Sequence, residues 1–443
     1  MRRTIPSRSS FSRLSENQAS ASVPVLRIPG STRRAAAAFN DDRFAWNDRA
    51  AALGPVSQLR LGLIRIWIVT DPDVARTMLV GGSADWRRPA QARTPIRLGV
   101  GENLFTQSEK AWATLAPALS PAFRRRSLEP RLAQMPLLID RQLATLDTKN
   151  AVDIVALTGR MAMSIAAFAL FGFDVSPTQA AVLATHQYEL VTWVGNRLGS
   201  MMNTVPFSFS SSAREMRTHR AELAHFATEV LAHGRARIEP ADDVLDALLG
   251  ARPNGEALSD KELIGHILGL LLAGNETTAL ALAWAVVHGA HNPKEWARLR
   301  HDPSAAEPFI TESMRLSPAV WGFARQARRG ATVGGHRTGW NTLISVVYLR
   351  GMNRRADLWE APLVFRPSRH VEADTAQKRA LLSFALGPRM CIGMHLAMAE
   401  MTAVLPAIAR LGDIVLDSSP VADPHFATRA KGDVIARFVE PDT

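Results

Sequence analysis

The sequence predicts a mainly α-helical fold with small peripheral β-sheets, and three observations support this. Hydrophobic residues make up 47% of the 443 residues, enough for a large buried core. Apolar residues recur at spacings of three and four from about residue 107 to 250, and alternating runs are short and few. No internal stretch resembles a linker, so we expect a single domain over residues 23–443, preceded by a disordered Arg/Ser-rich tail over residues 1–22.

Strands are expected near both ends of the chain. Residues 56–79, VSQLRLGLIRIWIVTDPDVARTML, contain two short alternating runs and then Asp71-Pro72, which is the pattern of a hairpin followed by a helix. Residues 342–350, TLISVVYLR, predict another strand. Near the C-terminus, GDIVLDSS and GDVIARFVE predict two more strands around a turn.

One long helix is predicted over LSDKELIGHILGLLLAGNETTALALAWAVVHGAHNP. Ser259 and Glu262 form a capping box at its start, and Asn292-Pro293 ends it. About 32 residues at ~1.5 Å each span roughly 50 Å. The first half is apolar on every face, which is typical of a helix through the core, but residues 273–278 (AGNETT) interrupt it. Mid-helix glycine and buried polar groups are costly, so the interruption indicates either a working site or a bend in which Thr bonds back to the preceding turn.

The net charge of +11 restricts the possible partners only weakly. Such a charge suits nucleic acid, an anionic membrane or an acidic protein, or simply a soluble protein from an Arg-rich proteome. Nucleic-acid binding is not expected, because zinc-finger spacing, a basic region with heptads and aromatic ribonucleoprotein motifs are all missing. The start of the chain has no apolar block of signal-peptide length, and no long uninterrupted apolar run follows. We therefore expect a cytoplasmic protein without a transmembrane anchor, with an organelle transit peptide as the alternative.

Cys391 is the single cysteine, so an intramolecular disulfide and a thiolate-rich zinc or iron–sulfur site are excluded. The segment FALGPRMCIGMHLA places it after a Gly-Pro turn and at the start of a helical pattern, where the helix dipole should lower the thiol pKa. A thiolate suits a nucleophile or a metal ligand. His395 could act as a base or chelate with it, although both would lie along one stripe of the helix. Gly393 would let a flat group approach closely, and thiolate is one of the axial ligands of haem.

This segment resembles the haem-binding signature of the cytochrome P450 family at all five fixed positions. They are Phe384, Gly387, Arg389, Cys391 and Gly393. The resemblance extends over about residues 45–440. It implies the cytochrome P450 fold, a triangular-prism-like domain that holds haem b between a long central helix and the Cys-bearing helix. Cys391 would then be the axial ligand of the iron.

Further motifs carry the same resemblance. It implies that Glu276 is the acid and Thr277 the alcohol of the family's oxygen-activation motif. It also implies a structural triad of Glu312, Arg315 and Arg369. The resemblance assigns the remaining haem contacts to Trp112, Ala273, Thr277, Arg325 and Arg389. Where the family commonly reads Trp-x-x-x-Arg, this chain has Ala116 at the arginine's place, so one expected propionate ion pair is missing.

The implied activity is that of a monooxygenase. Thiolate ligation of haem favours O–O cleavage, so dioxygen, two electrons and two protons would serve to hydroxylate or oxidatively couple a substrate in specialised, natural-product metabolism. No flavin, nicotinamide or iron–sulfur motif is present, so a ferredoxin or flavodoxin with its reductase should supply the electrons. Arg124, Arg125 and Arg126 would steer this acidic partner, unless they are only a solvated charged run. A peroxide-driven enzyme and a non-catalytic haem sensor are the alternatives.

The resemblance also implies where substrate binds. The pocket should draw on the loop from Pro95 to Phe105, the segment from Trp193 to Phe209, the long helix, the stretch from Val320 to Phe323 and the turn at Phe426. The candidate lining residues are Ile96, Phe105, Trp193, Leu270, Ala273, Val320, Trp321, Phe323 and Phe426. They favour a hydrophobic terpenoid, fatty or aromatic small molecule, although such residues also serve as ordinary core.

Overall fold

The computed structural model describes residues 22–80, 85–199, 211–328, 330–339 and 342–440. The predicted tail over residues 1–22, apart from Ser22, lies outside them. The chain divides into two compact units, a sheet unit and a helical unit. Of the described residues, the sheet unit contains those within 1–89, 322–352 and 386–388, and the helical unit contains those within 90–321, 353–385 and 389–443. The expectation of a single domain over residues 23–443 stays a prediction.

The described elements confirm a mainly helical chain with small sheets. The helices are α1 (Thr32–Asp41), α2 (Arg43–Ala51), α3 (Pro72–Val80), α4 (Ala90–Val100), α5 (Glu109–Leu119), α6 (Arg125–Leu132), α7 (Met135–Leu143), α8 (Ile154–Phe171), α9 (Pro177–Gly199), α10 (Ser211–Ala236), α11 (Val244–Gly250), α12 (Asp260–His291), α13 (Pro293–His301), α14 (Ala306–Leu316), α15 (Leu349–Met352), α16 (Thr375–Ala380) and α17 (Met394–Ala409). The strands are β1 (Val25–Ile28), β2 (Val56–Leu61), β3 (Ile64–Val69), β4 (Trp86–Arg87), β5 (Val152–Asp153), β6 (Gly322–Ala327), β7 (Thr332–Val333), β8 (His336–Arg337), β9 (Thr342–Tyr348), β10 (Asp413–Leu416), β11 (Ala422–Pro424), β12 (Thr428–Ala430) and β13 (Ile435–Val439).

The sheet unit is built on one six-stranded sheet with the order β1-β2-β3-β9-β6-β4. The predicted hairpin is confirmed, since β2 and β3 pair antiparallel from Val56↔Val69 to Leu61↔Ile64. Gly62 in the turn has φ +60, the left-handed conformation that favours glycine. β3 then pairs parallel with β9, and β9 pairs antiparallel with β6. The predicted strand over residues 342–350 ends two residues early, because Leu349 begins α15.

The helical unit packs around α12, which contacts α8, α9, α10, α14 and α17. The capping box is confirmed, because the Ser259 N–H donates to Glu262 Oε2 at 2.9 Å and the Glu262 N–H donates to Ser259 Oγ at 3.4 Å. The helix ends at His291, and the predicted Asn292 is its C-cap. It is continuous through residues 273–278, and the Thr277 hydroxyl donates to the Ala273 carbonyl at 2.7 Å. The interruption in the sequence therefore leaves the helix intact.

The C-terminal strands differ from the prediction. β10 and β13 pair antiparallel as expected, from Asp413↔Val439 to Leu416↔Ala436. The connection between them is not a simple turn, because it contains a second antiparallel pair, β11 and β12. The short strand β5 completes a three-stranded sheet on the other side of β13. Periodicity missed β11 and β12 because each has only three residues.

Two helices among the described residues, α8 and α12, are long and apolar enough to cross a bilayer by length and composition alone. Of their apolar windows, 78% and 83% respectively are buried inside the chain. A core helix of a large domain passes the same test, and the packing of α12 against α8, α9, α10, α14 and α17 accords with that role.

Candidate functional site

The loop that carries Cys391 is held by its own backbone. Cys391 lies three residues before α17, whose N-cap is Gly393. The Cys391 N–H donates to the Phe384 carbonyl at 2.9 Å, which closes the loop. Gly387 has φ +74, and a Cβ there would overlap the carbonyl oxygen of Leu79, so only glycine fits. Apart from Gly393 and its two chain neighbours, no heavy atom of the described residues lies within 4 Å of the place where a Cβ on Gly393 would stand, so that side of the loop is open.

The pKa of the Cys391 thiol differs from the lowered value that the sequence indicated. Burial raises the pKa of Cys391, and the hydrogen bond from the Gly393 N–H lowers it only in part. Burial therefore outweighs the hydrogen bond at the start of α17, and the pKa of the free thiol is raised where the sequence indicated a lowered one. The residue nevertheless keeps an exposed surface. A side chain that is surrounded by neighbours and still exposed lies on the wall of a concavity. A metal ion bound there would deprotonate the Cys391 thiol.

α12, which packs against α17, is open at the level of the AGNETT segment. From Gly265 to Val287, all of them described residues, every position is buried except Ala273, Gly274 and Thr277. Ala273 and Thr277 are four apart and so lie on one stripe of the helix. Both the Cys391 loop and α12 therefore present small or open positions, which is what a flat macrocycle with a sulfur ligand requires.

The same turn of α12 holds a buried ion pair next to the open stripe. Arg429 on β12 donates from Nη2 and Nε to Glu276 Oε1 at 2.7 and 2.9 Å. Arg429 also donates to the hydroxyl of Thr192 and, at 3.1 Å, to the carbonyl of Tyr188, and its guanidinium lies 3.8 Å from the Tyr188 ring centroid. Burial raises the pKa of Glu276, and the Arg429 charge opposes that shift. The acid is thus held beside Thr277 by a residue from another element.

Arg389 is also paired. Its Nε and Nη2 donate to Glu109 Oε2 at 3.0 and 2.6 Å, and its guanidinium lies 4.0 Å from the Trp112 ring centroid. Glu109 and Trp112 are on the first turn of α5, and Ala116 is buried one turn further along. The structure thus brings Trp112 and Arg389 together and adds Glu109 to them, and Ala116 follows Trp112 by one turn of α5.

The buried carboxylate of Glu312 gathers the predicted triad. Arg315 donates to it from Nε and Nη2 at 2.7 and 2.9 Å, and Arg369 donates from Nε at 2.9 Å. His370 Nε2 lies 2.8 Å from Oε2, which adds a fourth member that the sequence did not indicate. Burial acts to raise the pKa of Glu312, but hydrogen bonds from Arg315, His370 and the Arg366 N–H outweigh it and hold the pKa at about 2. The carboxylate therefore stays ionised inside the protein.

Comparison with known proteins identifies the family. The family model for cytochrome P450 matches residues 42–411. The chain belongs to the cytochrome P450 family. Membership implies a haem cofactor, and the open faces beside Cys391 and Ala273 fit that group.

Relatives and a solved structure agree with this assignment. The chain is 35% identical over 208 residues to cytochrome P450 137 of Mycobacterium tuberculosis, and this match covers 45% of the chain but only 43% of that relative. It is 25% identical to human cytochrome P450 4F2 over 446 residues, which is 88% of the chain and 82% of the relative. The crystal structure of CYP175A1 from Thermus thermophillus superimposes with a TM-score of 0.77 at 22% identity, covering 94% of the chain and 99% of the P450 from Thermus. The last comparison confirms the fold.

The candidate substrate residues of this P450 differ in how far they are buried. Leu270 is buried, whereas Ile96, Phe105, Trp193, Val320, Trp321 and Phe426 are half-buried and belong to the helical unit. Some of these segments meet, because Trp321 Nε1 donates to the His425 carbonyl at 3.1 Å and the Cβ position of Gly195 lies 3.2 Å from the Phe426 nitrogen. The expected loop from Pro95 is helical up to Val100, the end of α4. Of the segment from Trp193 to Phe209, residues 200–209 lie outside the described residues.

Two predicted residues belong to the sheet unit. Phe323 and Arg325 are on β6, where they pair with Val347 and Ser345 of β9. Phe323 is half-buried and Arg325 is buried, with its Nη1 donating to the Ala324 carbonyl at 3.0 Å. Their roles as a pocket residue and a propionate contact stay predictions.

Proposed function

We propose that this P450 is a haem-thiolate monooxygenase that hydroxylates, or oxidatively couples or cyclises, a mostly hydrophobic small molecule in natural-product metabolism. The observations that carry the proposal are that Cys391 is exposed just before α17, that α17 packs against α12, and that the buried part of α12 is open at Ala273 and Thr277. Bound haem b would supply reductive activation of dioxygen, with sulfur ligation favouring O–O cleavage. Haem b, dioxygen and two externally supplied electrons are parts of this proposal.

The residues proposed to hold the haem differ in what they offer. Cys391 would coordinate the iron, and Gly393 and Ala273 would leave room for the faces of the macrocycle. Phe384 and Gly387 shape the Cys391 loop, as its hydrogen bond and positive φ indicate. Trp112, Arg325 and Arg389 would serve the two carboxylates of the haem.

Protons would be handled by Glu276 and Thr277. The Thr277 O–H donates to the Ala273 carbonyl, which leaves the lone pairs of its oxygen able to accept a hydrogen bond from a water in the open stretch. Because burial raises the pKa of Glu276, this carboxyl is suited to take up and release a proton closer to neutral pH than a solvated one. Arg429 holds the carboxyl in place until it does so.

The proposal includes the redox partner, the substrate class and the location of the protein. Arg124, Arg125 and Arg126 are exposed at the start of α6, which packs against α17. We propose that an acidic ferredoxin or flavodoxin, reduced by its own reductase, docks on this basic patch. A hydrophobic terpenoid, fatty or aromatic substrate is favoured by the half-buried apolar side chains of Ile96, Phe105, Trp193, Val320, Trp321 and Phe426. A cytoplasmic location without a membrane anchor completes the proposal.

The reduced carbon-monoxide difference spectrum tests the central claim. The wild type should show the spectrum of thiolate-ligated haem, and Cys391→Ala should lose it. His395→Ala is the matched control, because His395 is exposed on α17 and is the alternative ligand near Cys391. Loss of the thiolate spectrum in His395→Ala, or its persistence in Cys391→Ala, would contradict the proposal. Turnover with dioxygen and a surrogate redox chain, but not with peroxide alone, would separate a monooxygenase from a peroxide-driven enzyme, and no turnover with either would indicate a haem sensor.

A further inference from the structure

Two histidines join α9 to α10. His186 Nδ1 lies 2.9 Å from His219 Nδ1, although the two residues are 33 positions apart. The ring centroids are 5.1 Å apart, which exceeds the distance between the nitrogens by about the width of one imidazole ring. The two nitrogens therefore face each other along the line between the rings. Both residues are half-buried, so one nearly linear hydrogen bond links the two helices.

This hydrogen bond depends on how many protons the pair carries. A neutral imidazole has one N–H and one bare nitrogen, whereas a protonated imidazole has an N–H at both positions. The bond needs one Nδ1 with a hydrogen and one without, which is possible for the neutral pair and for the pair with one added proton. A second added proton leaves two donors and two positive charges facing each other at 2.9 Å. The doubly protonated pair must separate.

The surroundings of His186 oppose that second proton. Burial lowers the pKa of His186 from its ordinary value of 6.5, the charge of His219 lowers it further, and Glu222 on α10 acts in the other direction. Among the described residues, no charged group on α4, α8, α12 or β12, which also contact α9, adds to these influences. A histidine whose pKa is lowered by folding stays neutral where the unfolded chain is protonated. Its contribution to stability is therefore complete above pH 6.5 and is lost as the pH falls below that value.

We propose that His186 and His219 form a proton-sensitive latch between α9 and α10, closed at neutral pH and opened when both imidazoles are protonated. The latch uses no residue of the proposed haem site and does not depend on monooxygenase activity. α9 also carries Thr192, whose hydroxyl accepts a hydrogen bond from Arg429. Opening of the latch would therefore weaken one support of the arginine that holds Glu276.

Amide hydrogen exchange of the holoprotein between pH 8 and pH 5, followed by mass spectrometry, tests the latch. Exchange rates are corrected for their intrinsic pH dependence, and α14 serves as the internal reference. In the wild type, protection of the facing turns of α9 and α10 should fall by up to about tenfold per pH unit below 6.5, as expected for one linked proton. Protection of α14 should not follow this change.

Three variants identify the titrating group. His186→Gln removes it but keeps an amide that can bond to His219, so protection should become independent of pH. His219→Gln should weaken the pH dependence without abolishing it, because the repulsion is gone while burial still lowers the pKa of His186. His225→Gln is the matched control, because His225 is exposed on α10 and lies beside Glu229 of the same helix, and it should behave as the wild type.

Melting temperatures at pH 8 show whether each variant folds. If His186→Gln fails to fold, the comparison of the wild type, His219→Gln and His225→Gln decides the question. Wild-type protection that does not change with pH would overturn the proposal. So would equal pH dependence in His225→Gln and in both latch variants, since the titrating group would then lie elsewhere. The carbon-monoxide spectrum of the wild type reports separately on the proposed function.

Discussion

The guanidinium of Arg429 places two nitrogens on one carboxylate oxygen of Glu276, at 2.7 and 2.9 Å, although the two residues are 153 positions apart. Both side chains are buried, at 3% and 5% exposure respectively. Burial favours the neutral form of the carboxyl, and the cation favours the charged form. The protonation of the acid on α12 is thus controlled from β12.

Replacing Arg429 should therefore change the pH dependence of turnover. In Arg429→Leu, the influence that opposes burial is gone, so the pKa of Glu276 rises further and the acid limb of the kcat profile moves to higher pH. Stability should fall by about 3–5 kcal/mol, because a buried charge loses its partner. The double variant Glu276→Gln with Arg429→Leu serves as control, and it should show no such limb and a smaller loss of stability. A kcat profile that keeps its position in Arg429→Leu would refute the control of Glu276 by Arg429.

Thr277 should govern how efficiently electrons reach product. Thr277→Ala removes the hydroxyl that can hold a water in the open stretch of α12, so product formed per electron pair should fall by about tenfold and peroxide should rise. Thr277→Ser should retain most of the coupling. Thr278→Ala is the positional control, since Thr278 is the buried neighbour and faces away from the open stripe. The measurement is product and peroxide against reductant consumed, and equal coupling in Thr277→Ala and Thr278→Ala would exclude a role for the hydroxyl.

The exposed arginines at the start of α6 should set the rate of reduction. Changing Arg124, Arg125 and Arg126 to Glu should lower the association rate of an acidic ferredoxin by about tenfold at low salt, with the difference shrinking as ionic strength rises. Reversal of three exposed arginines on α10, Arg214, Arg217 and Arg220, keeps net charge matched and is the control. Stopped-flow reduction at several salt concentrations provides the rates. If both triple variants slow reduction alike, overall charge matters and the α6 patch does not.

Glu312 should stabilise the folded protein less as the pH becomes acidic. Its folded pKa of about 2 lies below the ordinary 4.5, so its contribution is complete above pH 4.5 and is lost as the pH falls toward 2. The pKa difference corresponds to about 3 kcal/mol. Glu312→Gln should unfold more readily at pH 7, and the stability gap to the wild type should narrow between pH 4.5 and 2. Chemical denaturation across that range measures the gap, and a gap independent of pH would show that Glu312 acts through packing alone.

Glu400 on α17 should behave in the opposite way. It is fully enclosed, its Oε1 has no hydrogen-bond partner among the described residues, and burial raises its pKa well above the usual value. A carboxyl that is neutral in the fold but ionised when unfolded costs stability as the pH rises above 4.5. Glu400→Gln should therefore raise the melting temperature relative to the wild type more at pH 8 than at pH 5. A benefit that is equal at both pH values would contradict this.

The parts of the molecule that local sequence dictates were predictable. The ends of α12 follow from Ser259, Glu262 and Asn292, and the hairpin of β2 and β3 follows from alternation. The placement of Cys391 just before a helix follows from its glycines, although burial and not the helix dominates the pKa of the thiol. These features depend on residues a few positions apart.

Features that join distant residues were not predictable. The sequence HFATRA around Arg429 matches no motif used above, and Arg429 reaches Glu276 only in the folded chain. Glu109 precedes Trp112 in an ordinary first helical turn, yet it pairs with Arg389, 280 positions away. His370 follows a recognised residue of the triad, but its contact with Glu312 depends on how the chain turns after Arg366. A single sequence without related sequences beside it does not contain such pairings.

Gly265 and Gly269 give α12 one more property. A Cβ on Gly265 would collide with the carbonyl oxygen of Glu102, and a Cβ on Gly269 would lie 2.6 Å from Asn103 Cγ. Residues 102 and 103, shortly before Phe105, therefore pack directly against two glycines of α12, at positions where another residue would place a Cβ carbon. A Cβ at either position would displace residues 102 and 103 and so change the shape of the chain around Phe105. Thr277 and Glu276, two turns further along α12, would stay in place. Selection for a new substrate could proceed by this route without disturbing proton delivery.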